Sequence, residues 1–156
     1  MSVDILVYTF SNEFERWKIM PLTQALQQDV VSDRAKCATG LRAVIKILGQ
    51  WDATGEQIQN ILRISPSTLA RAKRADREWT IALDRDQVTR MSLVLNMHAA
   101  LRTVFENPDN LYGFMKMANH NEGFSGDSPL NRMASGDILA LMSVASRIDA
   151  MRGAQW

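Results

Sequence analysis

A chain of 156 residues is long enough for one domain, or for two small ones that share a core. A hydrophobic fraction of 46% with 22% charged residues suits a packed globular protein and excludes compositional disorder. The formal net charge of +1 excludes a strongly cationic coat for nucleic acid, though it leaves room for a local basic face.

Residues 1–20 read as an N-terminal arm, with strand-like residues in "DILVYTF" and a helix-like start in "EFERWKIM". The opening "MSVDILVYTF" has an early acid and no basic n-region, so it does not read as a signal peptide. Its apolar run from Ile5 to Tyr8 is far too short to span a membrane. Pro21 suits the first turn of a helix to about Asp29. A second helix is expected from Ala35, with Leu41, Val44, Ile45 and Leu48 on one face and Gly49 as its stop. The single Cys37 cannot form an internal disulfide, and its small, apolar neighbours predict a buried structural thiol in a reducing cytoplasm.

Thr54 and Gln57 have the spacing of a capping box, and Ile58, Ile61 and Leu62 then face inward. Ser65 can cap, and Pro66 can open, a helix "PSTLARAKRADREW". Two short helices joined by a few residues form a helix-turn-helix unit. Asp84 or Asp86 caps the next helix, whose stripe is Val88, Met91, Leu95, His98, Leu101 and Phe105. Asn107-Pro108 ends it and starts "PDNLYGFMKMAN". After the corner "GFSGDSPLNRMASGD", a last helix runs from Asp137 to about Met151 with Ile138, Leu141, Met142, Ala145 and Ile148 on one face. The expected class is all-α, a compact helical bundle with short connections.

The chemistry of an enzyme is not legible in these residues. His98 lies on an apolar stripe and reads as a satisfied, partly buried imidazole, and His120 in "MANHNEG" as a solvated loop residue. No Walker, H-E-x-x-H, G-x-S-x-G or C-x-x-C pattern occurs, and Asp84 and Asp86 are explained by a helix start. No metal site and no cofactor are expected. Most of the nine methionines have core-like spacing.

Two features carry binding instead. In the helix after Ser65, Leu69 and Ala72 look inward, while Ser67, Thr68 and Arg71 can reach base edges or phosphates and Lys73, Arg74 and Arg77 add charge. A purely structural or protein-facing helix fits the same residues, and one monomer offers few base contacts, so DNA reading calls for a two-fold dimer. At the corner, Gly123 and Gly126 permit unusual backbone angles, Phe124 anchors the loop, Asp127 or Ser128 caps, Pro129 opens a short helix, and Leu130 and Met133 pack inward. Gly136 ends that helix, and Asp137 caps the last one. The terminus, with Arg147, Arg152, Gly153, Gln155 and Trp156, is basic and aromatic, suited either to folding back or to docking in a partner's cleft.

Three segments, "WDATGEQIQNILRISPSTLARAKR", "LDRDQVTRMSLVLNMHAALRTVF" and "GFSGDSPLNRMASGDILALMSVASRIDAMRG", together resemble the Xre/MbcA/ParS family of bacterial antitoxins. The family's F-x-G-x-S/T-P-L signature is matched by Phe124, Gly126, Ser128, Pro129 and Leu130, and the likeness spans about residues 50–153. It implies a helix-turn-helix region within residues 1–85 and a toxin-binding domain over 86–156. It further implies a cytoplasmic, non-enzymatic member of a type II toxin–antitoxin module that binds a RES-domain toxin, a consumer or user of NAD. Toxin contact is implied for Arg147, Met151, Arg152, Gly153, Gln155 and Trp156, which would occlude the toxin's active site. Homodimer formation and repression of the module's own operon are implied as well. The competing expectation is a stand-alone helix-turn-helix transcriptional regulator.

Overall fold

The computed structural model describes residues 22–74, 76–121 and 124–153, with side chains from Asp33 onward. The expected N-terminal arm, residues 1–20, lies outside the described residues. Among the described residues the chain is all-helical, as the sequence predicts, with seven helices and no strand.

Helix α1 runs from Leu22 to Gln50 without the break expected near Asp29. The sequence offers no reason to stop there, since no glycine or proline occurs between Leu22 and Gly40. Gly49 sits inside the last turn, and the left-handed residue just beyond the helix is Asp52, at φ 61°. Trp51, fully buried, pins this end. Cys37, expected to be buried, is half-buried.

Helices α2 (Gly55–Leu62) and α3 (Pro66–Lys73) form the expected pair. Thr54 and Gln57 close a full capping box, and the Ser65 hydroxyl accepts from the Thr68 N–H at 3.1 Å. Helix α3 stops at Lys73, well short of Trp79. Trp79 instead turns back and is buried, with the Arg42 guanidinium 5.3 Å and the Arg71 guanidinium 6.0 Å from its ring centre. Arg42 also donates to the Asp76 carbonyl. Burying an indole against two cations outweighs continuing an exposed helix.

Helix α4 (Arg85–Val104) starts at Asp84, which forms a second capping box with Gln87. Its inward face matches the stripe the spacing suggests only in part, at Met91 and Leu101. Met91, Val94, Met97 and Leu101 are buried, whereas Val88 and Leu95 are 41% and 39% exposed. Helix α4 packs on both α1 and α7 (Ile138–Gly153), so its buried surface is a broad band turned away from the expected line. Helix α7 is turned likewise: Leu141, Val144 and Ile148 are buried and Met142 is half-exposed. Between them lie two short capped helices, α5 (Pro108–Gly113) and α6 (Pro129–Met133). A single buried cluster reaches from Ala38 in α1 to Ile148 in α7. Met91, Met97, Met115 and Met133 fill part of it, while Met117 is exposed. No described helix is long and apolar enough to cross a membrane.

His98 lies where α4 meets the end of α1 and α5. Its ring stacks on Tyr112 at 6.2 Å and meets Trp51 at 6.5 Å, and its Nδ1 is buried with no hydrogen-bond partner among the described residues. Packing rather than the expected hydrogen bonding holds this imidazole. Burial, with Arg102 adding to it, lowers its pKa from the ordinary value of 6.5. Below that value the unfolded chain takes up a proton that the folded chain resists, so stability falls as pH drops. Thermal melts should show Tm declining below about pH 6.5, and His98→Gln should flatten that slope.

Candidate functional site

The C-terminal corner is built from caps. Asn119 N–H donates to the Asp127 carbonyl at 3.1 Å and Gly126 N–H to the Asn119 carbonyl at 2.9 Å, closing the loop. Ser125 and Gly126 both take positive φ, 52° and 86°. Phe124 is buried beneath them. Of the two capping residues the sequence allows, Ser128 is the cap: its hydroxyl accepts from the Asn131 N–H at 3.1 Å. Asp127 supports it, accepting from the Ser128 N–H at 2.8 Å. Leu130 and Met133 are buried as expected. Asp137 caps α7 through its side chain, which accepts from the Leu139 N–H at 3.0 Å.

Gly136 is the pivot. It has φ 78°, and a Cβ there would stand 3.2 Å from the Asn60 carbonyl oxygen. Its own carbonyl accepts from Arg90 Nη1 at 2.9 Å, and the same Nη1 donates to the Ile61 carbonyl at 3.1 Å. Arg90 Nε donates to Asp86 at 2.8 Å. Asp86 also pairs with Arg63, and these cations, Arg90 first, lower its pKa below the ordinary carboxylate value. Gln57 Nε2 donates to Asn131 Oδ1 at 3.3 Å, a further tie between α2 and α6. No sequence pattern marks Arg90, because a charged residue among apolar ones reads as a solvated position.

The expected partner-binding residues are spread over two sides of α7. Arg147 is half-buried, its guanidinium 5.9 Å from the Phe124 ring centre, so it belongs to the corner. Met151 is half-buried; Arg152 and Gly153 are exposed at the helix end. Arg152 pairs with Asp149 at 2.6 Å. Gln155 and Trp156 lie outside the described residues. Sequence reasoning missed the groove beside these residues, about 490 Å³ between α4 and α7, lined by Leu93, Met97, Ala100, Met142, Ala145 and Arg152 among others. Its one legible signal is the small residues Ala99, Ala100, Ala145 and Ser146 on the two helices that line it.

The basic helix is more uneven. Ser67, Arg71, Lys73 and Arg74 are exposed and Thr68 is half-buried. The Ser67 and Thr68 hydroxyls both lie 2.9 Å from that of Ser65. Arg74 stands beyond the helix in extended backbone. Arg63, at the turn before this helix, is committed to Asp86. Among the described residues no cluster of histidine, cysteine or carboxylate side chains could hold a metal.

Residues 100–154, the corner with α7, match the model of the antitoxin Xre/MbcA/ParS C-terminal toxin-binding domain. This region of the chain is thus similar to the toxin-binding domain of the Xre/MbcA/ParS antitoxins. A protein of Sinorhizobium fredii named only as the uncharacterized protein y4oB is 28% identical over 123 residues, covering 78% of this chain and 91% of that protein. No solved structure matches. The match begins inside α4, yet the groove floor and the Arg90 anchor use residues before it. A fragment of residues 100–156 lacks Met91, Val94 and Met97, and its circular dichroism should show no cooperative melt. In the full chain, Arg90→Met strands two backbone carbonyls and should cost about 2–4 kcal/mol in urea unfolding. Arg90→Lys should recover only part, because an ammonium lacks the guanidinium's fixed fork.

Proposed function

We propose that this chain is the antitoxin of a type II module, that its partner is a RES-domain toxin which consumes NAD or uses it to modify a protein, and that α7 with the residues after it occludes the toxin's active site. The carrying observation is the toxin-binding domain match over residues 100–154, whose last helix ends in an exposed Arg152 beside an apolar groove. A cleft shaped for NAD accepts a dianionic pyrophosphate and flat rings. A guanidinium suits the first and an aromatic side chain the second, which gives Arg152 and Trp156 their roles. Met151, Gly153 and Gln155 complete the inserted end, and Arg147 braces the corner from which it projects. The antitoxin acts by binding, without catalysis or cofactor, in the cytoplasm.

The division of labour follows the chain: residues 1–85 carry the helix-turn-helix and residues 86–156 the toxin-binding domain. A second activity, repression of the operon by a homodimer on operator DNA, is supported by the exposed Arg71, Lys73 and Arg74 at the end of one capped helix. A stand-alone regulator would use the same helix and need no toxin.

Co-expression with the toxin separates these readings. A chain ending at Met151, and the full chain with Arg152→Glu, should lose growth protection while keeping the parental Tm, because Arg152 is exposed and pairs only at the surface. Full protection by the shortened chain would overturn occlusion by the helix end.

A further inference from the structure

The segment after α3 folds back over α1 and brings cations of two helices to one ring. Trp79 is buried, and the guanidiniums of Arg42 on α1 and Arg71 on α3 both lie against it. The Ile81 N–H donates to the Arg34 carbonyl at 3.3 Å, which fastens the segment to α1. Neither guanidinium has a carboxylate partner among the described residues. Asp76 offers Arg42 only its carbonyl, while its carboxylate accepts from the Glu78 N–H at 2.9 Å. Arg42 Nε is buried with no hydrogen-bond partner among the described residues. Two like charges on one indole repel, and an unmet buried donor is a cost. An anion held by both cations offsets the repulsion.

The chemistry of that anion follows from the geometry. A guanidinium laid against an aromatic ring keeps its N–H donors, which lie in its own plane, for an oxygen ligand. Phosphate is an oxygen anion that this fork matches. We infer that Arg42 and Arg71 form a phosphate-binding site across α1 and α3, that Trp79 is the positioning residue which holds both, and that the ligand is the backbone of a nucleic-acid duplex. The cationic surface continues on either side of the ring. Lys46, one turn along α1 from Arg42, is exposed, as are Lys73, Arg74 and Arg77 beyond Arg71. A row of cations suits a row of phosphates better than a single free ion. The contact thus reaches beyond α2 and α3 onto α1. It fixes the orientation of the duplex and carries no sequence information of its own. This site rests on the DNA reading given above, to which it adds Arg42 and Trp79.

Fluorescence anisotropy of the full chain on a labelled duplex of about 20 base pairs and arbitrary sequence, across a salt series, tests the site. Arg71→Ala and Arg42→Gln should each weaken binding and each lower the log–log salt slope by about 1, one phosphate contact being lost. Arg42→Gln keeps a donor for the Asp76 carbonyl, so it decides the question even where a Trp79 variant does not fold. Trp79→Leu should weaken binding about threefold to tenfold at an unchanged slope, because both charges remain and only their support is lost. Trp79→Phe, which keeps a ring, should recover most of that loss. Arg102→Ala, at an exposed position of α4, should change neither affinity nor slope. Inorganic phosphate in place of chloride, at constant ionic strength, should not displace the duplex. The parental slope in Arg42→Gln, parental affinity in a folded Trp79→Leu, an equal effect of Arg102→Ala, or displacement by millimolar phosphate would overturn the inference and leave DNA binding by α3 standing. A parent chain that binds no duplex at any salt overturns the DNA reading and this site with it.

Discussion

One buried guanidinium fastens the parts of this chain together. Arg90 is 4% exposed and makes hydrogen bonds to three places, two of them distant in sequence: Ile61 at the end of α2, Asp86 one turn back in α4, and Gly136 before α7. Removing such a charge from water is costly, and the cost is offset only where its donors are met. A guanidinium meets it here because its donors point in several fixed directions. Asp86, itself partly exposed, supplies the counter-charge without entering the core. Around this point Gln87 donates to the Arg63 carbonyl at 2.8 Å, so the left-handed turn between α2 and α3 is held to the start of α4.

The geometry of the corner follows from that anchor. With Gly136 drawn to Arg90 and lying against Asn60, α7 can leave the corner only along α4. Leu141, Val144 and Ile148 then close onto Met91, Val94, Met97 and Leu101 in the common core. What α7 leaves outside is determined by what it must bury. Leu139, Met142, Ser146 and Asp149 are outward because the opposite side is fully used. The exposed face is the remainder of a packing solution.

Local chemistry was legible in the sequence, and rotation was not. Thr54, Ser65, Asn107, Ser128 and Asp137 all cap as their types and neighbours predict, because a cap is a contact within a few residues. The facings of α4 and α7 were misjudged at Val88, Leu95 and Met142, because which apolar row turns inward depends on partners far along the chain. Helix α3 ended early for the same reason: Trp79 answers to Arg42, which lies in another helix. The expected partner-binding residues at the end of α7 rest on the basic, aromatic character of the terminus and on family likeness. Of these, the structure places Arg147 on the corner and Arg152 at the groove rim, a separation that spacing alone does not reveal.

The same anchoring limits how this protein can change. Helices α2 and α3, with the basic helix end, and the corner that launches α7 are both fastened to the first turns of α4, by Arg63–Asp86, Gln87–Arg63 and Arg90–Gly136. A substitution at that junction disturbs both surfaces together, since both are tied to it. Substitutions at Leu139, Met142 or Arg152 on one surface, or at Lys73 and Arg74 on the other, touch solvent and leave the junction whole. Either face can therefore be altered independently, while the scaffold tolerates little change at Arg90, Asp86 or Gly136. The arrangement places variable surface contacts on a core whose polar knot is fixed.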